Sequence, residues 1–124
     1  MLPDFDQEFI LTRDASNISI SFNLSIIKDG KERFISFEGR GLHVAEKNYS
    51  FCERELLAIV VGVQHFHEFL APKPFVIKTD NSALKYLNSV KNITGRLSRW
   101  NLILSSYTYR VEHIKGKNNV TADR

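Results

Sequence analysis

Residues 9–30 read FILTRDASNISISFNLSIIKDG, and their periodicity decides the fold class. Ile18, Ile20, Phe22, Leu24 and Ile26 alternate with Ser19, Ser21, Asn23 and Ser25. A period of two places these apolar side chains on one face of a strand. Before it, Phe9, Ile10 and Leu11 form an apolar run that ends at the charged pair Arg13 and Asp14. After it comes Asp29-Gly30, the dipeptide preferred in tight hairpin turns, and a third strand is predicted over Arg33 to Phe37. Three successive antiparallel strands are therefore expected, followed by a loop over Glu38 to Leu42 that holds Gly39 and Gly41.

Downstream the period changes. Leu56, Ile59, Val60, Val63, Phe66 and Leu70 recur at steps of three and four, the stripe of one helix over about Ser50 to Leu70. Ser50 followed by Glu53 has the capping-box pattern, and Pro72 and Pro74 stop the helix. Phe75 to Thr79 is a short apolar strand that reaches Asp80. A short helix over Asn81 to Leu87, a polar loop to Gly95, a helix over Arg96 to Tyr107 and a strand over Tyr107 to Ile114 complete the order. Lys115 to Asn119 is a turn, and a further helix is expected to be cut short at Arg124. Strands first, then alternating strands and helices, predict an α/β domain with one mixed sheet flanked by helices.

The 124 residues suit a single domain over 1–124, and 17 basic against 14 acidic side chains give +3 with a pI near 9.1. That balance is compatible with a phosphate-backbone ligand without demanding one. No apolar run reaches the roughly 18 residues of a membrane span, and no membrane partner is expected. The N-terminus lacks the basic start and apolar stretch of a secretory signal. Cys52, a single cysteine at the start of a helix, reads as a structural thiol in a reducing compartment.

Four carboxylates stand where mixed sheets build sites. Asp14 ends the first strand, Glu55 lies in the first turns of the long helix, Asp80 follows the fourth strand, and Asp123 follows the last strand and its turn. Hard divalent cations take oxygen ligands, and two such ions roughly 3.5 to 4 Å apart can activate water and stabilise a leaving oxygen. Taken singly, each residue also reads as a turn former or a helix-dipole partner.

The segments around these residues are Thr12-Arg13-Asp14-Ala15-Ser16, Glu46-Lys47-Asn48-Tyr49-Ser50, Glu53-Arg54-Glu55-Leu56-Leu57-Ala58-Ile59-Val60, Lys78-Thr79-Asp80-Asn81 and Gly116-Lys117-Asn118-Asn119-Val120-Thr121-Ala122-Asp123. Gly95-Arg96-Leu97-Ser98-Arg99-Trp100 stands between the last two. In this order they resemble the RNase H domain that follows reverse transcriptase in gypsy-type LTR retrotransposons and related retroviral Pol proteins. The resemblance implies an RNase H-like fold, a five-stranded mixed sheet of order 3-2-1-4-5. It implies metal-dependent endonucleolytic hydrolysis of the RNA strand of RNA–DNA hybrids. Two magnesium ions, replaceable by manganese, would be held by Asp14, Glu55, Asp80 and Asp123. The implied partners are the hybrid and an upstream reverse transcriptase polymerase domain. The implied location is a cytoplasmic retroelement particle, with the nucleus as alternative.

The resemblance selects Glu55 over Glu53, to which capping is assigned. Ser16, Asn17, Asn81 and Ser82 are candidates for sugar contacts or for plain turn and capping roles. Arg96, Arg99, Lys115 and Lys117 are candidates for phosphate contacts, whereas Trp100 reads as core. His113 belongs to the strand and takes no catalytic role here. Three departures from the family pattern bear on the site. Ser19 and Ser21 stand where the family has glycine, and Arg13 puts a cation beside Asp14 that would compete with metal. A catalytically weak nucleic-acid-binding remnant and a structural domain supporting the polymerase are the alternative functions.

Overall fold

The computed structural model describes residues 8–80, 82–89 and 95–113. Three antiparallel strands come first: β1 (Phe9–Ala15), β2 (Ser19–Lys28) and β3 (Lys31–Gly41). Asp29 (φ 54°) and Gly30 (φ 77°) make the β2–β3 turn, two consecutive left-handed residues of the kind a two-residue hairpin needs. Helices α1 (Phe51–His65) and α2 (His67–Leu70) lead to β4 (Phe75–Thr79), and α3 (Ser82–Ser89) and α4 (Gly95–Ser105) lead to β5 (Tyr109–His113). The strands form one mixed sheet of order β3-β2-β1-β4-β5, with β4 parallel to both β1 and β5.

Two expectations need correction. The segment from Glu38 is strand, not loop, because β3 continues to Gly41. Its glycines serve the pairing: Ser21 stands opposite Gly39 and Ser19 opposite Gly41. A Cβ on Gly39 would meet the Ile20 carbonyl oxygen at 3.0 Å and the Ser21 Cβ at 3.4 Å. The side chains at positions 19 and 21 thus stand opposite strand positions that carry none. The predicted single helix over 50–70 is also divided. Phe66 leaves the helical region (φ −100°, ψ 27°), and its buried ring packs edge-on against Phe22.

The core lies between one sheet face and α1. Leu11, Ile20, Phe22, Leu24 and Ile77 of the sheet meet Leu56, Ile59, Val60 and Val63 of the helix, all buried. Leu57 and Ala58, off the apolar stripe, are buried as well, because α3 and α4 pack against α1. Leu84, Leu87, Leu97, Trp100 and Leu104 complete that cluster. On the other sheet face a chain of charge runs across the strands. Ser25 Oγ donates to Glu32 at 2.6 Å, and Lys78 lies 3.4 Å from Glu32 and 3.8 Å from Glu112.

Helix and sheet come close together at Gly62. A Cβ there would lie 3.1 Å from Leu11 Cδ1 and 3.3 Å from Phe22 Cβ and Cγ. Interiors packed to crystal density absorb added methyls poorly. Gly62→Val is expected to lower the unfolding free energy by about 2 kcal/mol or more, read by urea denaturation; an unchanged midpoint would contradict the close approach.

Candidate active site

The same helix face that packs at Gly62 carries Glu55, because residues seven apart on a helix lie nearly one above the other. Two turns of helix cover roughly 10 Å. On β1, two residues beyond Leu11 cover roughly 7 Å and reach Arg13 on the same sheet face. The helix that must sit on Leu11 therefore sets Glu55 over Arg13. The structure brings them together: Arg13 Nε is 2.7 Å from Glu55 Oε1, and their side chains are 11% and 4% exposed.

Strand β4 supplies the next partners. Thr12 pairs with Lys78 in parallel register, so Arg13 falls beside Thr79 and Asp14 beside Asp80. Thr79 Oγ1, fully buried, accepts from Arg13 Nη2 at 3.0 Å and from Nε at 3.3 Å. Arg13 Nη2 also lies 3.7 Å from Asp80 Oδ1. One guanidinium thus joins Glu55, Thr79 and Asp80. The expectation of a cation beside Asp14 is corrected by strand alternation, which turns Arg13 towards α1. Asp14 is exposed, and its Oδ1 accepts from the Ala15 amide at 2.9 Å.

Burial outweighs this pairing in setting the acidity of Glu55. Removal from water pushes its carboxyl up to about 7; Arg13 pulls it down, and Asp80 and Asp14 push it up again. Glu55 Oε1 touches the guanidinium, but the approach is not a hydrogen bond, and that buried oxygen accepts none among the described residues. A buried carboxylate oxygen without a donor, with two aspartates near it, fits the chemistry of a hard divalent cation. Among the described residues no three carboxylate, histidine or cysteine groups converge closely enough to hold one, and the cation between Glu55 and Asp80 is Arg13. Asp123, Asn81, Lys115 and Lys117 lie outside the described residues.

A model of the RNase H-like domain found in reverse transcriptase matches residues 4–107. The chain belongs to that family. Over 122 residues the RNase H-like domain is 42% identical to the retrovirus-related Pol polyprotein from transposon 297 of Drosophila melanogaster, covering 98% of this chain and 11% of that polyprotein. It is 33% identical over 125 residues to the enzymatic polyprotein of carnation etched ring virus, covering 98% of this chain and 19% of the other. The chain therefore spans between a tenth and a fifth of these relatives. Among solved structures, the foamy viral protease-reverse transcriptase with double-stranded DNA superposes with a TM-score of 0.73 at 13% identity, over 91% of this chain and 24% of that one. LC11-RNase H1 with an RNA/DNA hybrid gives 0.62 at 12% identity, over 94% and 91%. At such identities the likeness is one of fold.

The residues around the site of the RNase H-like domain have defined local partners. Glu53 closes the capping box, its backbone amide donating to Ser50 Oγ while its Oε1 accepts from the Ser50 amide. Its second oxygen lies 2.7 Å from Arg96 Nη2, and the Arg96 guanidinium stacks 4.1 Å from the Tyr49 ring centroid. Arg96, a candidate phosphate contact, thereby ties α4 to the start of α1, while Arg99 is exposed. Trp100 is buried edge-on to Tyr49, as expected of a core residue. Ser16 Oγ accepts from the Ile18 and Ser19 amides, a turn role, and Asn17 Oδ1 accepts from Arg54 Nη2 at 3.3 Å. Ser82 opens α3. Burial and the nearby Asp80, Glu55 and Glu53 push the half-buried Cys52 thiol up, which suits a structural thiol. Thr79 and Arg54 carry no role legible in the sequence. Only the alternation that puts Thr79 on the same face as Arg13 points to the first.

These contacts have two measurable outcomes. Between pH 4.5 and about 7 the folded protein holds a proton on Glu55 that the unfolded chain releases. In chelator, stability should therefore fall by up to about 3 kcal/mol as pH rises through that window. Glu55→Gln should flatten the decline in a pH series of thermal melts. Arg96→Ala should cost about 1–2 kcal/mol in urea denaturation, while Arg99→Ala should stay within about 0.5 kcal/mol of wild type.

Proposed function

We propose that this domain is a ribonuclease H that cuts the RNA strand of RNA–DNA hybrids endonucleolytically, within a retroelement Pol polyprotein that also carries reverse transcriptase. The observation that carries the reading is the meeting of Glu55 with the strand ends bearing Asp14 and Asp80, in a chain matched almost throughout by the family. Asp14, Glu55, Asp80 and Asp123 would hold two magnesium ions, or manganese in their place. Such ions supply activation of water and stabilisation of the departing 3′ oxygen of a phosphodiester.

The protein's own groups define the rest. Burial keeps Glu55 out of water, while Asp14 is exposed and Asp80 partly exposed at the strand ends beside it. Ser16 and Asn17, exposed at the β1–β2 turn, suit contact with the 2′-hydroxyl that marks RNA. Arg99, with Lys115 and Lys117, would meet phosphates of the hybrid, and within the longer polyprotein this domain's partner would be the upstream polymerase domain. The ion pair of Arg13 with Glu55 favours a second reading, a weakly active remnant that binds hybrid without efficient cleavage.

A labelled hybrid separates the two. Magnesium- or manganese-dependent loss of the RNA strand is expected, blocked by chelator. Asp80→Asn should reduce it by more than about 100-fold, beyond the 10–100-fold cost of losing an outer partner of a metal ligand. Hybrid affinity should fall as salt rises, because phosphate contacts release counterions. Salt-sensitive binding with no cleavage in either metal would establish the remnant.

A further inference from the structure

Arg13 stands where the fold concentrates negative charge, and its surroundings are those of a counter-ion. Its guanidinium is 2.7 Å from Glu55 Oε1 and 3.7 Å from Asp80 Oδ1, and it is pinned by two hydrogen bonds to the buried Thr79 hydroxyl. Glu55 and Asp80 are also two of the carboxylates proposed to hold metal, so a role for Arg13 at that site rests on the nuclease reading. We propose that Arg13 is a tethered cation that competes with divalent metal for Glu55 and Asp80. It neutralises the resting site and must withdraw before an ion binds there.

Three physical points carry this. First, a magnesium ion binds a carboxylate oxygen at about 2.0–2.1 Å. With the guanidinium nitrogen 2.7 Å from that same oxygen, the two cations would repel at close range with little water between them. Second, guanidinium offers donors alone, so it can balance the charge of the carboxylates but cannot add a ligand to a metal. Third, of the two carboxylates only Glu55 holds the guanidinium at close range. Nη2 is held by the neutral Thr79 hydroxyl at 3.0 Å with Asp80 farther off at 3.7 Å, so Arg13 exchanges its place more easily than a guanidinium with both carboxylates in close contact would. If Arg13 leaves the site for no more than about a tenth of the time, the apparent metal affinity falls by about tenfold or more.

Manganese binding by the purified 124-residue chain, followed by the loss of the free-ion EPR signal, tests this without recourse to activity. Arg13→Met, which keeps the bulk and removes the charge, is expected to bind manganese about tenfold more tightly than wild type or better. Arg13→Lys should stay close to wild type, and adding Asp80→Asn to Arg13→Met should abolish the gain. Magnesium should also raise Tm more in Arg13→Met than in wild type. Equal or weaker binding by a folded Arg13→Met overturns the proposal and leaves the nuclease reading intact. No manganese bound by either folded protein at millimolar concentration overturns the metal reading, and this proposal with it. Should Arg13→Met fail to fold, nitrogen-15 NMR of wild type decides instead. Saturating magnesium is expected to shift the Arg13 Nε–H signal or broaden it away, and a signal unmoved by bound magnesium overturns the proposal.

Discussion

The seating of α1 on the sheet at Gly62 is the constraint on which the rest of this domain depends. With a hydrogen in place of a side chain, the helix comes within van der Waals contact of Leu11 and Phe22. That depth excludes water from the apolar stripe of α1 and from everything else on the same face. Glu55, two turns earlier, is carried under with it. A carboxylate in that position would not remain ionised without compensation, and the nearest cation able to reach it is two residues along β1 from Leu11. The burial of Glu55 and its pairing with Arg13 are therefore consequences of helix packing as much as features of a site.

This coupling explains why the candidate site is a mixture of attraction and cost. Desolvation and the two aspartates disfavour the charge on Glu55, while Arg13 favours it. A buried ion pair of this kind adds little net stability, because desolvation consumes most of the Coulombic gain. Its removal from one side is nonetheless expensive, since the remaining charge stays buried. The fold thus keeps Glu55 in a state that another cation could improve. On the proposed nuclease reading, that other cation would be a divalent metal.

The hairpin strands show a second adjustment. Serines at 19 and 21, where the resembled family has glycine, stand opposite Gly41 and Gly39 of β3. At these two pairs the side-chain volume sits on β2 rather than β3, and the pairing of the two strands runs on to Gly41. Elsewhere on the same sheet face, the charge chain through Glu32, Lys78 and Glu112 spans β3, β4 and β5, where no described helix packs.

Local chemistry made much of this legible. The period-two run from Ile20 onward, the Asp-Gly turn, the Ser50–Glu53 capping box and the apolar stripe of α1 each depend on near neighbours, and each appears as read. Ile18, expected on the same strand face, instead lies before β2 and is 70% exposed. The ordered motifs identified the family and with it the strand order. The length of β3, the break at Phe66 and the employment of Arg96 were not legible, because each is decided by a partner distant in the chain: Ser19 and Ser21 for β3, Phe22 for Phe66, Glu53 and Tyr49 for Arg96. The sequence by itself determined which residues alternate, where helices start and which carboxylates end the strands. Only the tertiary structure decided that the face Arg13 shares with Leu11 meets Glu55, since the direction of a strand side chain gains meaning only once a helix has settled on one face.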